Sequence, residues 1–379
     1  MGRIRDFLGF VAKGLVVVYV PLVYSQEEIS PHPQKGLTFQ NQNSIQAGVE
    51  YDSNVFKTFG QNQEDFLARI LLKSQGTFFP SSEWRIGWDY QGGGKKYLDH
   101  DEQDTLIQFI ELPISWGEPS TGIEVSFIPD IKYQKERNNV DINSLDINED
   151  FLSATGKLLA RISLPHRLQL EPSGGFTYFH FDPTQTFSFS REWGGVSIYK
   201  TVYHLVGIGS QYTYSRQQFQ ESSREDREHQ ISAFVQYLKV PFFSARYTFQ
   251  DSESSDRTFT FTNHRISFLL SMIFGHRNGG KASLESDPIN SSALFALHLL
   301  GTLQLKRFPS VFDFTQEGQR FLLTGSEDDN FNSFLAKMSY HPFNPITFEV
   351  KYTRYSNELS SQQDSFGRYF LYGGVRFSF

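Results

Sequence analysis

Two clusters of histidine and carboxylate side chains are the first candidates for chemistry in this sequence. His100 lies between two aspartates, and His229 follows Asp226 and Glu228 closely. An imidazole beside carboxylates can hold a metal ion or act as a general base, although solvated loop charge is the commoner reason for such neighbours. The sequence has no cysteine and no HExxH, GxSxG, Walker or EF-hand spacing. We therefore expect neither an enzyme nor a bound cofactor.

A larger set of charged residues occupies alternate positions along many short runs, and bases outnumber acids in it. The set consists of Arg69, Lys73, Arg85, Lys157, Arg161, Arg246, Lys351, Arg368 and Arg376, against Asp89, Glu111, Glu124 and Glu349. If one face of a sheet holds them around an aqueous space, they favour the passage of anions. The alternative is that they pair across neighbouring strands and only fill the interior.

Strands with a period of two must position these charges. Residues 84–91, 243–250 and 346–353 alternate strictly between apolar and polar side chains. Successive side chains of a β-strand point to opposite faces, so each run has one apolar face and one polar face. The 38 Phe and 18 Tyr residues also favour strands, because aromatic side chains suit a pleated surface. A soluble sandwich and a membrane barrel both have such strands.

The connections between the runs separate these two architectures. Short connections fall near 80–83, 116–120, 165–166, 199–202, 240–241 and 341–345, whereas longer, charged ones fall near 52–62, 91–104, 134–150, 182–186, 216–229, 251–257, 306–330 and 356–365. Short turns at one end and long loops at the other are typical of a transmembrane β-barrel. We predict an all-β fold, a transmembrane antiparallel up-and-down barrel of about 16 strands, with 14 or 18 as alternatives. Residues 319–324 are a candidate for additional strand.

The first residues have the pattern of a secretory signal peptide. Arg3, Arg5 and Lys13 accompany a short apolar run over 15–23, and residues 23–25 offer a cleavage site. The run is shorter than the roughly 18 residues that a transmembrane helix needs. We predict a signal peptide over 1–25, which is removed, a periplasmic lead-in over 26–43 and one barrel over 44–379. The alternative for the first segment is a short buried helix.

The last strand candidate ends on an aromatic residue, with Tyr369, Val375, Phe377 and Phe379 on one face. This pattern resembles the C-terminal β-signal of bacterial outer-membrane proteins. The resemblance implies a porin-like β-barrel of a Gram-negative outer membrane, without indicating a specific family. It also implies that the barrel-assembly machinery captures this strand by edge pairing. The alternative is a soluble protein whose last strand happens to end in Phe.

A second local similarity lies at the first hairpin. Tyr51-Asp52-Ser53-Asn54 and the following Val55 are similar to the Tyr-Asp-x-Asn-hydrophobic stretch of polysaccharide-associated barrels and surface-lipoprotein assembly modulators. The tetratricopeptide domain of the latter family is absent from the sequence, so we infer no function from it. A strand end followed by an Asx turn explains the stretch equally well.

Acidic residues form three groups in the longer connections. They are Asp99, Asp101, Glu102 and Asp104; Asp141, Asp146, Glu149 and Asp150; and Glu327, Asp328 and Asp329. Facing the lipopolysaccharide of an outer membrane, these groups would repel it unless divalent cations bridge the charges. Weak Ca²⁺ or Mg²⁺ binding at the acidic loops is therefore a hypothesis.

Taken together, these features favour a porin-like channel or transporter for small polar solutes, with a mild anion preference. The second hypothesis is a barrel for surface display, adhesion or binding of an envelope partner, and the third hypothesis is an outer-membrane hydrolase. The formal charge of −7 and the lack of a basic stripe give no reason to expect a nucleic-acid partner. No strand has an apolar face distinct from the others, as a strand buried between subunits would have.

Overall fold

The alternating runs fold into one closed antiparallel sheet. The computed structural model describes residues 38–55, 63–117, 122–136, 150–182, 188–220, 222–256, 259–276, 293–307, 312–314, 320–322, 331–343, 345–357 and 366–379. The strands of the sheet are β1 Thr38–Asp52, β2 Asp65–Phe79, β3 Trp84–Tyr97, β4 Thr105–Glu111, β5 Ile114–Trp116, β6 Ile123–Glu136, β7 Asp150–Leu164, β8 Leu168–Asp182, β9 Phe189–Val202, β10 Val206–Phe219, β11 Glu225–Tyr237, β12 Phe242–Ser254, β13 Phe261–His276, β14 Ala293–Arg307, β17 Phe331–Phe343, β18 Ile346–Asn357 and β19 Phe366–Ser378. Each strand pairs with its neighbours in chain order, and β1 pairs with both β2 and β19, which closes the barrel.

Two of these strands are halves of one barrel strand. β4 and β5 share one register against β3, with Glu111 opposite Asp89 and Ile114 opposite Ile86. Pro113 lies between them and has no N–H to donate to the ladder, so the strand is interrupted there. The barrel consequently has 16 strands, which confirms the predicted fold class and strand number.

The barrel is apolar outside and polar inside. Outward residues such as Leu158, Ile231 and Leu303 are 56%, 53% and 57% exposed. A closed sheet with this outer face satisfies every backbone group in hydrocarbon, as a membrane requires. The chain thus has the architecture of a bacterial outer-membrane β-barrel. No helix among the described residues is long and apolar enough to cross a membrane.

Several strands run further than the sequence pattern predicted. β1 begins at Thr38, so residues 38–43 of the predicted lead-in are strand, and β3 continues to Tyr97 through Gly92-Gly93-Gly94. The predicted connection over 216–229 shrinks because β10 ends at Phe219 and β11 begins at Glu225. Backbone hydrogen bonds between strands continue in these stretches after the alternation of apolar and polar residues has stopped. Since that alternation is the only feature of the sequence that predicts a strand, the strand ends were missed.

Residues outside the sheet add little to the described structure. β15 Phe312–Phe314 and β16 Arg320–Leu322 form a separate two-stranded hairpin, so the additional strand expected near residues 319–324 is present. The predicted signal peptide over 1–25 and residues 26–37 of the lead-in lie outside the described residues.

Candidate functional site

The inner face of the barrel holds the charged residues that the sequence pattern singled out. Strand register places on it Arg69, Lys73, Arg85, Lys157, Arg161, Arg246, Lys351, Arg368 and Arg376, with Asp89, Glu111, Glu124 and Glu349. The same register adds residues that the sequence analysis did not select: Glu50, Asp52, Asp65, Lys95, Asp130, Lys132, Glu171, Arg191, Asp226, Glu228, Arg265, Lys306 and Lys337. Selection of solutes by these residues stays a prediction.

Many of the inner charges form ion pairs with one another. The Glu50 carboxylate, 2% exposed, accepts hydrogen bonds from Lys95 Nζ at 2.9 Å and Arg69 Nη1 at 3.3 Å. On the opposite side of the closure, Glu349 lies 2.8 Å from Lys337 Nζ and 3.4 Å from Arg376 Nη2. Each carboxylate balances only one of its two basic neighbours, so each group keeps an excess of one positive charge.

A further ion-pair group joins β3, β6, β7 and β8. Arg85 pairs with Glu124, and Arg161 Nε donates to Glu171 Oε1 at 2.6 Å while Arg161 Nη1 lies 4.0 Å from Glu124. Some of the inner charges therefore pair across neighbouring strands and fill the interior, as the alternative interpretation of these charges predicted.

Other inner charges form no ion pair with any residue in the described part of the chain. The bases without an ion pair are Lys73, Lys132, Lys157, Arg246, Arg265 and Lys351, and the acids without one are Asp89, Glu111 and Asp130. The three acids lie directly opposite one another on β3, β4 and β6. Arg246 and Arg265 lie on β12 and β13, about half a turn of the 16-strand barrel away from that acidic row. Arg246 and Arg265 thus face the acidic row across the lumen, whereas Lys132 of β6 and Lys157 of β7 lie beside that row.

The fold separates one of the two histidine clusters and gives the other a further carboxylate neighbour. His100 contacts Asp65 of β2, with its Nδ1 3.1 Å and its backbone N 3.0 Å from Asp65 Oδ2. His229 points outward and hydrogen-bonds the Tyr212 hydroxyl at 2.8 Å, whereas strand parity turns the neighbouring acids Asp226 and Glu228 inward. A metal or base role that needs His229 and those acids together is therefore wrong.

A hydroxyl and an imidazole do meet on the inner face, where Ser271 Oγ lies 2.9 Å from His298 Nδ1. The residue opposite His298 on β17 is Lys337, not the carboxylate that orients the base of a catalytic triad. No group of three or more metal-ligating side chains occurs among the described residues. The acidic groups over 141–149 and 327–329 lie outside those residues.

Comparison with known proteins yields similarity of fold only. No protein-family model and no curated protein matches the chain. Similar solved structures include an anion-selective porin from Comamonas acidovorans, 9% identical with a TM-score of 0.47, covering 91% of this chain and 100% of that one. OccAB3 from Acinetobacter baumannii is 8% identical with a TM-score of 0.44, covering 90% and 99%. A bacterial polysaccharide outer membrane secretin is 6% identical with a TM-score of 0.44, covering 90% and 98%. We transfer no function across these similarities.

Proposed function

We propose that the protein is an outer-membrane channel for small polar solutes, with a mild preference for anions. In this proposal the short turns face the periplasm and the long loops face the exterior. The observation that carries the proposal is the excess of bases over acids among the inner residues that form no ion pair. An aqueous lumen lined by such an excess lowers the free energy of an anion within it. Passive diffusion needs no catalytic residue and no cofactor.

Charge reversal of the basic wall should reverse the selectivity. We expect wild-type channels in planar bilayers to pass chloride in preference to potassium, as measured from the reversal potential in a KCl gradient. The double variant Arg246→Glu/Arg265→Glu should pass potassium in preference, because it replaces two unpaired bases of the lumen by acids. Lys239→Glu, in an exposed turn outside the strands, is the matched control and should leave the selectivity unchanged. Cation selectivity of the wild type would refute the anion preference.

Liposome swelling tests the channel itself. Proteoliposomes should swell in small sugars and amino acids faster than empty liposomes, because only an open lumen admits these solutes. Absence of swelling from correctly folded protein would instead favour a barrel that serves as an anchor for surface loops.

We also propose that the barrel-assembly machinery recognises the outward face of β19. Tyr369, Val375 and Phe377 are exposed on that face, and the Phe377 and Phe379 rings lie 5.8 Å apart. Phe379 also exchanges two backbone hydrogen bonds with Asn43, at 2.8 and 2.9 Å.

Loss of the Phe379 ring should therefore slow assembly without destabilising the finished barrel. We expect Phe379→Ala to lower the fraction of heat-modifiable protein in cells, whereas refolding of the purified chain into detergent stays close to wild type. Phe274→Ala removes an outward aromatic at the short-turn end of β13 and serves as the control. Equal assembly of both variants in cells would contradict this role.

A further inference from the structure

Four phenylalanine rings from four consecutive strands form a continuous arc on the inner face, near the long-loop end. Phe151 of β7 stacks on Phe179 of β8 at 5.1 Å between centroids, and Phe179 stacks on Phe189 of β9 at 5.0 Å. Phe189 contacts Phe219 of β10 at 5.8 Å. Register places all four on the same face as the inner charges. We call these four residues the aromatic arc.

Such an arc is unexpected on the inner side of this barrel, where the other residues are mostly polar. The four rings are only half-buried, so apolar surface remains open towards the lumen. Contiguous exposed apolar surface rimmed by polar groups is a common mark of a binding site. The residues directly beneath the arc are polar, among them Thr177, Arg191 and Gln217.

Cations lie at both ends of the arc. Lys132 Nζ is 5.0 Å from the Phe151 ring centroid and forms no ion pair with the described residues. At the other end the Arg224 guanidinium lies 4.2 Å from the Phe219 centroid. Two hydrogen bonds to Asp226, at 2.9 and 2.5 Å, hold Arg224 in this position.

A third cation lies just beneath the middle of the arc. Arg191 Nη2 donates to Glu228 at 3.3 Å, and its buried Nε has no hydrogen-bond partner. The Arg191 side chain as a whole is 33% exposed, so its outer atoms can meet a solute anion that the buried Nε cannot reach. The arc therefore combines an apolar ring surface with two cations that a solute can meet, Lys132 at one end and Arg191 beneath the middle, whereas Asp226 already binds Arg224.

We propose that the aromatic arc binds carboxylates that carry an aromatic ring and enriches them at the outer end of the lumen. The ring of the solute packs against the arc, and its carboxylate pairs with Lys132 or with Arg191, according to where the ring lies. Aromatic contacts and a single charge pair give weak, rapidly reversible binding. Weak binding is what a passage site requires, since the solute must also leave.

Channel block tests the proposal, which rests on the channel function proposed above. Sodium benzoate should reduce the chloride current through the wild-type channel at concentrations where sodium acetate and benzyl alcohol do not. The double variant Phe179→Leu/Phe189→Leu should raise the half-blocking concentration about fivefold, because it keeps apolar bulk but removes the rings. Phe176→Leu, on the outward face of β8, should leave block unchanged. Equal block by acetate and benzoate, or equal block of wild type and double variant, would overturn the proposal.

A binding measurement separates failure of the arc from failure of the channel. Saturation-transfer NMR on the detergent-solubilised barrel detects benzoate contact whether or not the lumen conducts. We expect signal from wild type and from Phe176→Leu, loss of most of it from Phe179→Leu/Phe189→Leu, and a partial loss from Lys132→Met, because Arg191 still offers a partner to the carboxylate. Heat-modifiable mobility shows that each variant is folded. Absence of benzoate signal from folded wild type refutes the arc as a site, whereas signal without conductance refutes only the channel.

Discussion

Replacement of Asp52 by alanine is expected to weaken the closure between the first and last strands more than any other single change at the inner wall. The Asp52 carboxylate is fully buried. It accepts two hydrogen bonds from the Arg368 guanidinium of β19, one of them at 2.9 Å, and one from the Tyr97 hydroxyl of β3 at 3.1 Å. Removing one partner of a buried pair typically costs about 3–5 kcal/mol, because the other charge stays buried without compensation. We expect a loss of that size in the free energy of unfolding.

The measurement is urea unfolding in detergent, followed by the mobility of unboiled samples on SDS gels. Glu192→Ala, which removes a carboxylate from the exposed outward face of β9, should leave the unfolding midpoint near that of wild type. In a double-mutant cycle, Asp52→Ala/Arg368→Met should lose less stability than the two single variants added together. Strict additivity would show that the two side chains are not energetically coupled.

The neighbours of Asp52 give the Tyr-Asp-Ser-Asn stretch a structural role. The Ser53 hydroxyl accepts a hydrogen bond from Tyr369 N at 2.9 Å, and Ser53 N donates to Tyr369 O at 3.1 Å. Asn54 Nδ2 donates to Gly367 O at 3.3 Å, while Asn54 N donates to Asp52 Oδ1 at 3.1 Å as in an Asx turn. The stretch therefore fixes the register of β1 against β19. The sequence indicates the turn, but the partner on β19 lies 316 residues away and follows only from closure.

The fold was largely predictable because a period of two shows directly which residues face lipid. The pattern fails at the strand ends near the long loops. On β10 and β11 the outward positions become charged, as Arg216 and Arg227 show, and their shared partner Glu225 lies 2.6 and 2.9 Å away. The strands continue there beyond the apolar belt. Backbone hydrogen bonds between neighbouring strands hold these strand ends together, and no alternation of side chains in the sequence indicates them.

The sequence predicts which charged residues face the inside of the barrel, but it does not predict which of them pair with one another. Parity assigns Arg69 and Arg376 inward, yet their pairing with Glu50 and Glu349 depends on the register between strands. Glu50 itself lies between Val49 and Tyr51, an alternation that would have been enough to select it. The aromatic arc was missed for a different reason: a phenylalanine in a barrel strand is expected to face lipid, and only register shows that these four face inward.

Replacement of Gly48 by leucine tests the closure between β1 and β19 in a second way, by adding a side chain where the packing leaves no room for one. Gly48 lies opposite Gly374 across the β1–β19 pairing, and the Tyr372 ring, 2% exposed, covers both glycines. A Cβ at Gly48 would lie 2.5 Å from Tyr372 Cε2 and 2.5 Å from the Gly373 carbonyl oxygen. Since the carbonyl belongs to the ladder, it cannot move without breaking backbone pairing. Overpacking typically costs about 1–3 kcal/mol, and we expect Gly48→Leu to be at the upper end.

Gly373→Leu is the matched control, because Gly373 is on the adjacent position of β19 and a Cβ there meets nothing within 4 Å. Strand parity turns it outward, where leucine suits the lipid, so this variant should unfold at the wild-type urea concentration or above it. Adding Tyr372→Ala to Gly48→Leu should recover only part of the loss, because the ring contact is relieved and the carbonyl contact is not. If Gly48→Leu is as stable as wild type, β1 and β19 do not pack at this distance, and the closure does not depend on the close contacts around Gly48.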